Sequence, residues 1–416
     1  MQALLLLLLS SRAAFAEDLA SRARRVHREA IVVDTHLDAP DQLARRWADV
    51  GKRGATDHFD LPRARDGGLS APFFSIYVPG TYAETGGAAR RALELIDLTH
   101  RVVAEHPADL VLATSVAEIR AAKQAGRIAV LMGIEGGHAL EDSLGVLRQM
   151  YRAGVRYVTL THTNTNHWAD SSGPFYLPDF DPRKSAIHGG LTPFGREVVR
   201  EMNRLGMIVD ISHTSDDTVD HVLAVSRAPV MASHSSCRAL ADMPRNLTDD
   251  QIRRIAQRGG LVMINFGSVF VGQETWAAFV AMKRRLAPEI AKLRAQHADP
   301  RAFARALFAL YGAQPKLPRA TLARLADHID HVIQVGGAGA VGLGTDFDGI
   351  EDTPVGMDDY GMLPKLTEEL LRRGHSEAGV KKILGENFLA FLARVEAVKA
   401  ALAGEPPSTA VYQPGP

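Results

Sequence analysis

The strongest constraint on the fold is a rhythm. Eight short, largely apolar runs recur along the chain, at 31–36, 73–78, 128–135, 155–162, 207–213, 230–234, 261–266 and 340–346. Runs of this kind suit parallel strands covered on both faces. Segments of helical character lie between them, including 88–104, 192–205, 248–257 and 319–335. Two parallel neighbours need a crossover of about a dozen residues or more, which a helix supplies. Eight such alternations predict an α/β chain folded as a (β/α)8 TIM barrel, in preference to an open doubly wound sheet.

One interval breaks the rhythm. Residues 267–339 separate the seventh run from the eighth, far more than one crossover helix needs. The excess reads as a helical insertion at about 270–318, richest in Ala, Arg and Leu over 274–311. It leaves from the C-terminal end of a strand, the face on which barrel active sites lie. A lid or specificity wall is one reading, and a plain helical decoration is the other.

The rest reads as one barrel domain over 17–400, followed by a polar, Pro-rich tail at 401–416. The first 16 residues read as an export signal. Leu4 to Leu9 is unbroken leucine, and Ala14-Phe15-Ala16 offers a small-x-small cleavage pattern. The run is shorter than the ~20 apolar residues a bilayer span requires. Met1-Gln2-Ala3 lacks the usual basic residue, so an ordinary N-terminal helix is the alternative. The signal predicts a periplasmic or extracellular protein, and the helix a cytoplasmic one. No other stretch is suited to crossing a membrane.

Composition removes other classes. Lys+Arg and Asp+Glu both number 48, so the formal net charge is zero and no basic stripe marks a nucleic-acid partner. Hydrophobic residues at 46% and charged residues at 23% describe a folded chain. Cys237 is the single cysteine, which excludes an intrachain disulfide.

The chemistry lies at the ends of the runs. The first ends in His36-Leu37-Asp38, the third in Glu135, the fourth in His162, the fifth in His213, the sixth in His234 and the eighth in Asp346. His36 and Asp38 fall on one side of their strand, because strand periodicity is two. Taken singly, each has an ordinary reading as a cap or core residue. Together they gather at one barrel face, where buried carboxylates need a cation or donors. They exceed the three protein ligands of one catalytic zinc, so two metals sharing a carboxylate fit better.

Six segments then carry a resemblance. They are Val33-Asp34-Thr35-His36-Leu37-Asp38, Gly133-Ile134-Glu135-Gly136, Leu160-Thr161-His162-Thr163-Asn164, Asp210-Ile211-Ser212-His213, Ala232-Ser233-His234-Ser235-Ser236 and Gly342-Leu343-Gly344-Thr345-Asp346-Phe347-Asp348-Gly349, with Gly385-Glu386-Asn387-Phe388 near the end. In this order, over roughly 25–395, the chain resembles the membrane (renal) dipeptidases of the amidohydrolase superfamily. The resemblance implies a dipeptidase with two zinc ions. It places His36 and Asp38 on one ion, His213 and His234 on the other, and Glu135 between them. Zinc lowers the pKa of water toward ~7, so the attacking hydroxide exists at neutral pH. The resemblance further gives His162 the developing oxyanion, Asp346 the transferred proton, and Arg245 the substrate's C-terminal carboxylate. It also implies a homodimer.

The pattern departs from the family in one place. A tyrosine that often follows the Asn-Phe pair of the seventh run is absent from Asn265-Phe266-Gly267, which leaves a pocket-lining side chain unaccounted for. Two other readings remain open: a superfamily hydrolase acting on a lactone, cyclic amide or ester, and a non-catalytic binding barrel. Many such hydrolases bridge their metals with a carboxylated lysine, but no run ends in lysine and none lacks its expected ligand. His328 and His331 read as a partly exposed helix face, Cys237 as a buried structural thiol, and His138 as a loop histidine. Asp348 reads as a turn cap or an orienting group. Asp170 is a candidate to position His162, and His167 lies near it.

Overall fold

The computed structural model describes residues 17–181 and 186–414. Among these are nine strands: β1 (Val32–Leu37), β2 (Leu69–Tyr77), β3 (Leu110–Leu112), β4 (Ile128–Glu135), β5 (Val155–Thr159), β6 (Ile208–Asp210), β7 (Met231–Ala232), β8 (Leu261–Ile264) and β9 (Val341–Leu343). Eight of them follow one another in the order β1-β2-β4-β5-β6-β7-β8-β9, every pair parallel. The seam between β9 and β1 is nearly closed. Thr35 Oγ1 donates to the Leu343 carbonyl at 3.2 Å, Asp346 N to the His36 carbonyl at 3.1 Å, and Asp38 N to the Phe347 carbonyl at 2.9 Å. The sheet is a (β/α)8 TIM barrel, as the alternation predicts.

The eight expected strands are present, and β3 is an addition. Its three residues are too few to show a pattern. It pairs with the first half of β4, from Leu110–Ile128 to Leu112–Val130, before β2 joins at Leu131.

Local chemistry sets the crossovers. The helix Pro193–Leu205 starts at Thr192, whose side chain accepts from Gly195 N, and ends at left-handed Gly206. Thr248 and Gln251 close a capping box on Asp249–Gln257. Inside the barrel, Val33, Ala71, Phe73, Tyr157, Ile208, Met231, Leu261 and Met263 pack on Phe388, Leu389, Phe391 and Leu392. The last four come from the C-terminal helix Asn387–Ala401, which floors the barrel and leaves the opposite mouth for polar groups.

Two glycines permit this interior. A Cβ on Gly133 would lie 2.0 Å from the Tyr157 ring, and one on Gly344 would lie 1.9 Å from the Ser233 carbonyl. The first lets Tyr157 lie across the barrel, and the second lets the end of β9 close on the segment after β7.

The insertion is helical, over Gln273–Arg285, Ala287–Gln296 and Pro300–Gly312. It spans the mouth. Lys283 Nζ donates to the carbonyls of Phe175 (2.6 Å) and Leu177 (3.1 Å) in the segment after β5. Arg301 lies 4.1 Å over the Tyr82 ring and bonds Thr85 Oγ1 at 2.6 Å, in the segment after β2. The described tail is docked. Ser408 bonds Glu197 and Glu201, and Tyr412 stacks on His167 at 5.4 Å. The expected export signal at 1–16 lies outside the described residues. No described helix is long and apolar enough to cross a membrane.

Candidate metal centre

His36 lies within β1 and Glu135 ends β4, while Asp38 immediately follows β1. His162, His213, His234 and Asp346 stand two or three residues beyond β5, β6, β7 and β9. The expected runs therefore extend past the ladders, which end where the chain turns into the loops over the mouth. His213 and Asp346 have φ of 66° and 61°, in the left-handed region that L residues occupy at a cost. Donors from after β5 over-determine the first turn. Ser172 N, Thr161 Oγ1 and Ser171 Oγ all bond the His213 carbonyl, at 2.7, 3.0 and 3.1 Å.

The side chains converge on Glu135. Its Oε1 lies 3.0 Å from His213 Nε2, 3.4 Å from His234 Nε2 and 3.8 Å from His162 Nε2. Its Oε2 lies 3.6 Å from His36 Nε2. His36 Nε2 is also 3.4 Å from Asp38 Oδ2 and 3.9 Å from Asp346 Oδ1. The His36 and His234 rings stack at 3.8 Å, so all seven residues form one continuous cluster.

These residues fit a metal centre on the chemistry of their atoms. His36 Nε2 and Asp38 Oδ1 are buried without a hydrogen-bond partner among the described residues. His213 Nε2 and His234 Nε2 face each other at 2.9 Å, both turned to the same carboxylate oxygen. Burial holds both imidazoles well below their ordinary pKa, which leaves lone pairs to offer. Burial alone would raise Glu135, but the surrounding imidazoles outweigh it and hold the carboxyl well below its usual range. Burial, with Asp38 and Glu135 nearby, pushes Asp346 up to about 8. Three carboxylates gathered in a buried space call for positive charge.

A sequence model of the membrane dipeptidases, peptidase family M19, matches residues 20–405. The chain belongs to the membrane dipeptidase family. Dipeptidase verJ of Clonostachys rogersoniana is 34% identical over 93% of this chain and 90% of its own. Two solved structures are similar in fold. The probable dipeptidase PvdM of Pseudomonas aeruginosa has a TM-score of 0.78 and 26% identity, over 92% of this chain and 100% of its own. A metallo peptidase of Rhodobacter sphaeroides, liganded with a phosphinate mimic of the dipeptide L-Ala-D-Ala, has a TM-score of 0.70 and 26% identity, over 88% and 100%. A metal cofactor and a small peptide substrate accompany this family.

In this dipeptidase fold Arg245 is buried beside the cluster. It donates to Ser235 Oγ and the His234 carbonyl, each at 3.2 Å, and lies 5.6 Å from the Phe270 ring centre. Burial lowers its pKa to about 10, opposed by Asp346 and Glu135. Gly267 leaves no gap in place of the missing tyrosine. A Cβ there would lie 2.6 Å from Phe270, whose ring takes the space.

Two side readings need correction, those of His328 and Asp170, while Cys237 is the buried thiol and Asp348 the cap that were expected. His328 is fully buried, not a partly exposed face; its Nδ1 accepts from Cys237 N and its Nε2 meets the Val271 carbonyl, both at 3.0 Å. Helical spacing with His331 concealed this, because the partners lie on other elements. Asp170 does not touch His162 but accepts from the backbone N–H groups of Ile187, His188 and Gly190. Ser171 Oγ is what holds the His162 carbonyl. Cys237 is buried, and burial raises its thiol pKa. Asp348 caps His58 N at 2.7 Å, and His138 faces the Pro79 carbonyl at 3.3 Å.

Four residues stand behind the cluster with no role suggested by the sequence patterns. Asp34 accepts from His36 N, from Thr345 N and Oγ1, and from Tyr360 Oη. Asp210 accepts from Ser212 N, Ser233 N and Oγ, and Thr159 Oγ1. Tyr157 Oη meets His36 Nδ1 at 2.8 Å, and Asn265 Nδ2 donates to Asp346 Oδ2 at 2.8 Å. A lone Asp closing each of Val32-Val33-Asp34 and Ile208-Val209-Asp210 was the available signal.

Proposed function

We propose that this protein is a two-zinc dipeptidase that hydrolyses the peptide bond of a free dipeptide. The observation that carries the reading is the posture of Glu135. One of its oxygens faces His213 and His234, and the other faces His36. A carboxylate so placed would serve two ions, one held with His36 and Asp38, the other with His213 and His234. Imidazole and carboxylate are ligands that suit zinc. Two bound divalent ions would supply Lewis acidity and a water acidic enough to attack near neutral pH.

The remaining residues divide the work. His162, with its ring 5.0 Å from that of Tyr77, stands on the β5 side of Glu135 and would donate to the oxyanion forming on the scissile carbonyl. Asp346 would take the proton of the attacking water and deliver it to the leaving amine. Arg245 would bind the free C-terminal carboxylate, for which a planar fork is suited. The dipeptide mimic seen in the Rhodobacter relative supports this substrate class. Export through the 1–16 segment is part of the proposal, and a mature N-terminus near Glu17 in the exported protein would support it.

Metal analysis combined with a panel of L-X–L-X and L-X–D-Ala dipeptides, with and without chelator, tests the proposal. About two zinc per chain and chelator-sensitive release of amino acids are expected. Two zinc without cleavage of any dipeptide would move the substrate to lactones, cyclic amides or esters. No metal after reconstitution would overturn the reading from Glu135 outward.

A further inference from the structure

The geometry points to Ser233 and Asp210 as positioning residues that fix His234 in the tautomer able to bind a metal ion through Nε2. This inference rests on the two-metal reading above. An imidazole offers a lone pair at Nε2 only when its proton sits on Nδ1. His234 Nδ1 lies 2.8 Å from Ser233 Oγ. That hydroxyl has one proton, and it lies 2.6 Å from Asp210 Oδ2. The Asp210 carboxyl is already an acceptor on both oxygens, for the Ser233 and Ser212 N–H groups and the Thr159 hydroxyl, so the Ser233 hydroxyl proton goes to it as well. Ser233 Oγ is left to accept from His234 Nδ1–H, and Nε2 is left bare toward Glu135 and His213.

The surroundings of Asp210 keep this order. Oδ1 takes two backbone N–H groups, from Ser233 at 2.8 Å and Ser212 at 3.1 Å. Oδ2 takes two hydroxyls, those of Ser233 and Thr159, the latter at 2.5 Å. The ring is anchored from behind as well, since His234 N donates to Ser212 Oγ at 3.0 Å and Thr35 Oγ1 bonds the Ser233 carbonyl at 2.6 Å. His213 differs, because its Nδ1 is buried without a partner among the described residues. The relay is specific to one of the two facing imidazoles.

Asp210→Asn separates this role from mere packing. The amide oxygen must stay on the two backbone N–H groups, which turns the new NH2 toward the hydroxyls. Ser233 then accepts from the amide and donates to His234 Nδ1, which drives the imidazole proton onto Nε2. The experiment measures zinc affinity at each site by chelator competition, and the thermal midpoint of the zinc-free protein. Wild type is expected to bind two ions. Asp210→Asn and Ser233→Ala should weaken one site by about 10- to 100-fold, the range for an outer partner of a metal-bound histidine, and leave the other unchanged. Ser233→Thr, which keeps the hydroxyl, should restore binding. Native affinity at both sites in Asp210→Asn and Ser233→Ala would overturn the relay while leaving the two-metal reading intact. So would equal losses at both sites with a lowered midpoint, or no rescue by Ser233→Thr in a folded protein. A wild type that binds no zinc would overturn the two-metal reading itself, and the relay with it.

Discussion

Tyr157 lies under His36 with its hydroxyl 2.8 Å from Nδ1, in a space that exists because residue 133 has no side chain. The barrel interior is thus continuous with the polar cluster: the tyrosine ring belongs to the apolar packing and its oxygen to the polar mouth. On the two-zinc proposal, Tyr157→Phe should keep the fold and weaken zinc binding on the His36 side of the cluster by about tenfold, the scale for outer partners of ligating histidines. Gly133→Ala should do more, because its Cβ would fall 2.0 Å from the ring. A loss of about 1–3 kcal/mol in stability is expected from such overpacking. Zinc titration and urea unfolding check the pair. Native zinc affinity in both variants would remove Tyr157 from the metal centre.

Asp346 is held by one oxygen. Asn265 Nδ2 donates to Oδ2, and Asn265 Oδ1 already accepts from Gly267 N at 2.6 Å, so the amide cannot turn over. The other oxygen is directed to the cluster, 3.9 Å from His36 Nε2. Asp346→Asn should lower kcat by about 10²-fold, the scale of lost acid–base help, with zinc content unchanged. A parallel loss of zinc would make Asp346 a ligand instead of a proton carrier.

The residues of the cluster were legible because a polar group that closes an apolar strand is costly to bury unless a cation or donor meets it. His36, Glu135 and His234 stand out for that reason in an unaligned sequence. The groups behind them were not legible. Asp34 is satisfied by Thr345 and Tyr360, 311 and 326 positions along the chain, and no local pattern joins them. Tyr157 reads as one more core aromatic until Gly133 is seen beside it. β3 was too short to notice. The tail's composition gave no sign that Tyr412 would stack on His167, since that contact depends on the path past Glu201 and Glu197.

The insertion leaves from the end of β8 and reaches two loops across the mouth, through Lys283 to the β5 segment and through Arg301 to the β2 segment. Aromatic packing of Trp276, Phe279 and Phe308 on Phe175 and Tyr176 holds this roof alongside the polar anchors, so releasing an anchor should loosen it. Limited proteolysis within 274–311 should slow when a phosphinate dipeptide mimic is bound. Lys283→Met, which removes the ammonium from the Phe175 and Leu177 carbonyls, should speed cleavage there without changing zinc content. Equal cleavage with and without the mimic would make the insertion a fixed wall.

Acid should destabilise the fold through His328. Burial, opposed in part by the Val271 carbonyl, lowers its pKa from the ordinary 6.5 to about 4. Above pH 6.5 the imidazole is neutral in both folded and unfolded chains, and its contribution is complete. As pH falls below 6.5 the unfolded chain takes up the proton first, while the folded chain resists until about pH 4. Stability is therefore lost between those values, by about 3 kcal/mol at most for this one group. His328→Asn keeps an acceptor for Cys237 N–H but does not titrate. Urea unfolding of the zinc-free proteins at pH 7 and pH 4.5 measures the difference. The variant is expected to be less stable than wild type at pH 7 but to lose less on acidification. The same loss in both would show that His328 is protonated in the folded chain as readily as in the unfolded one.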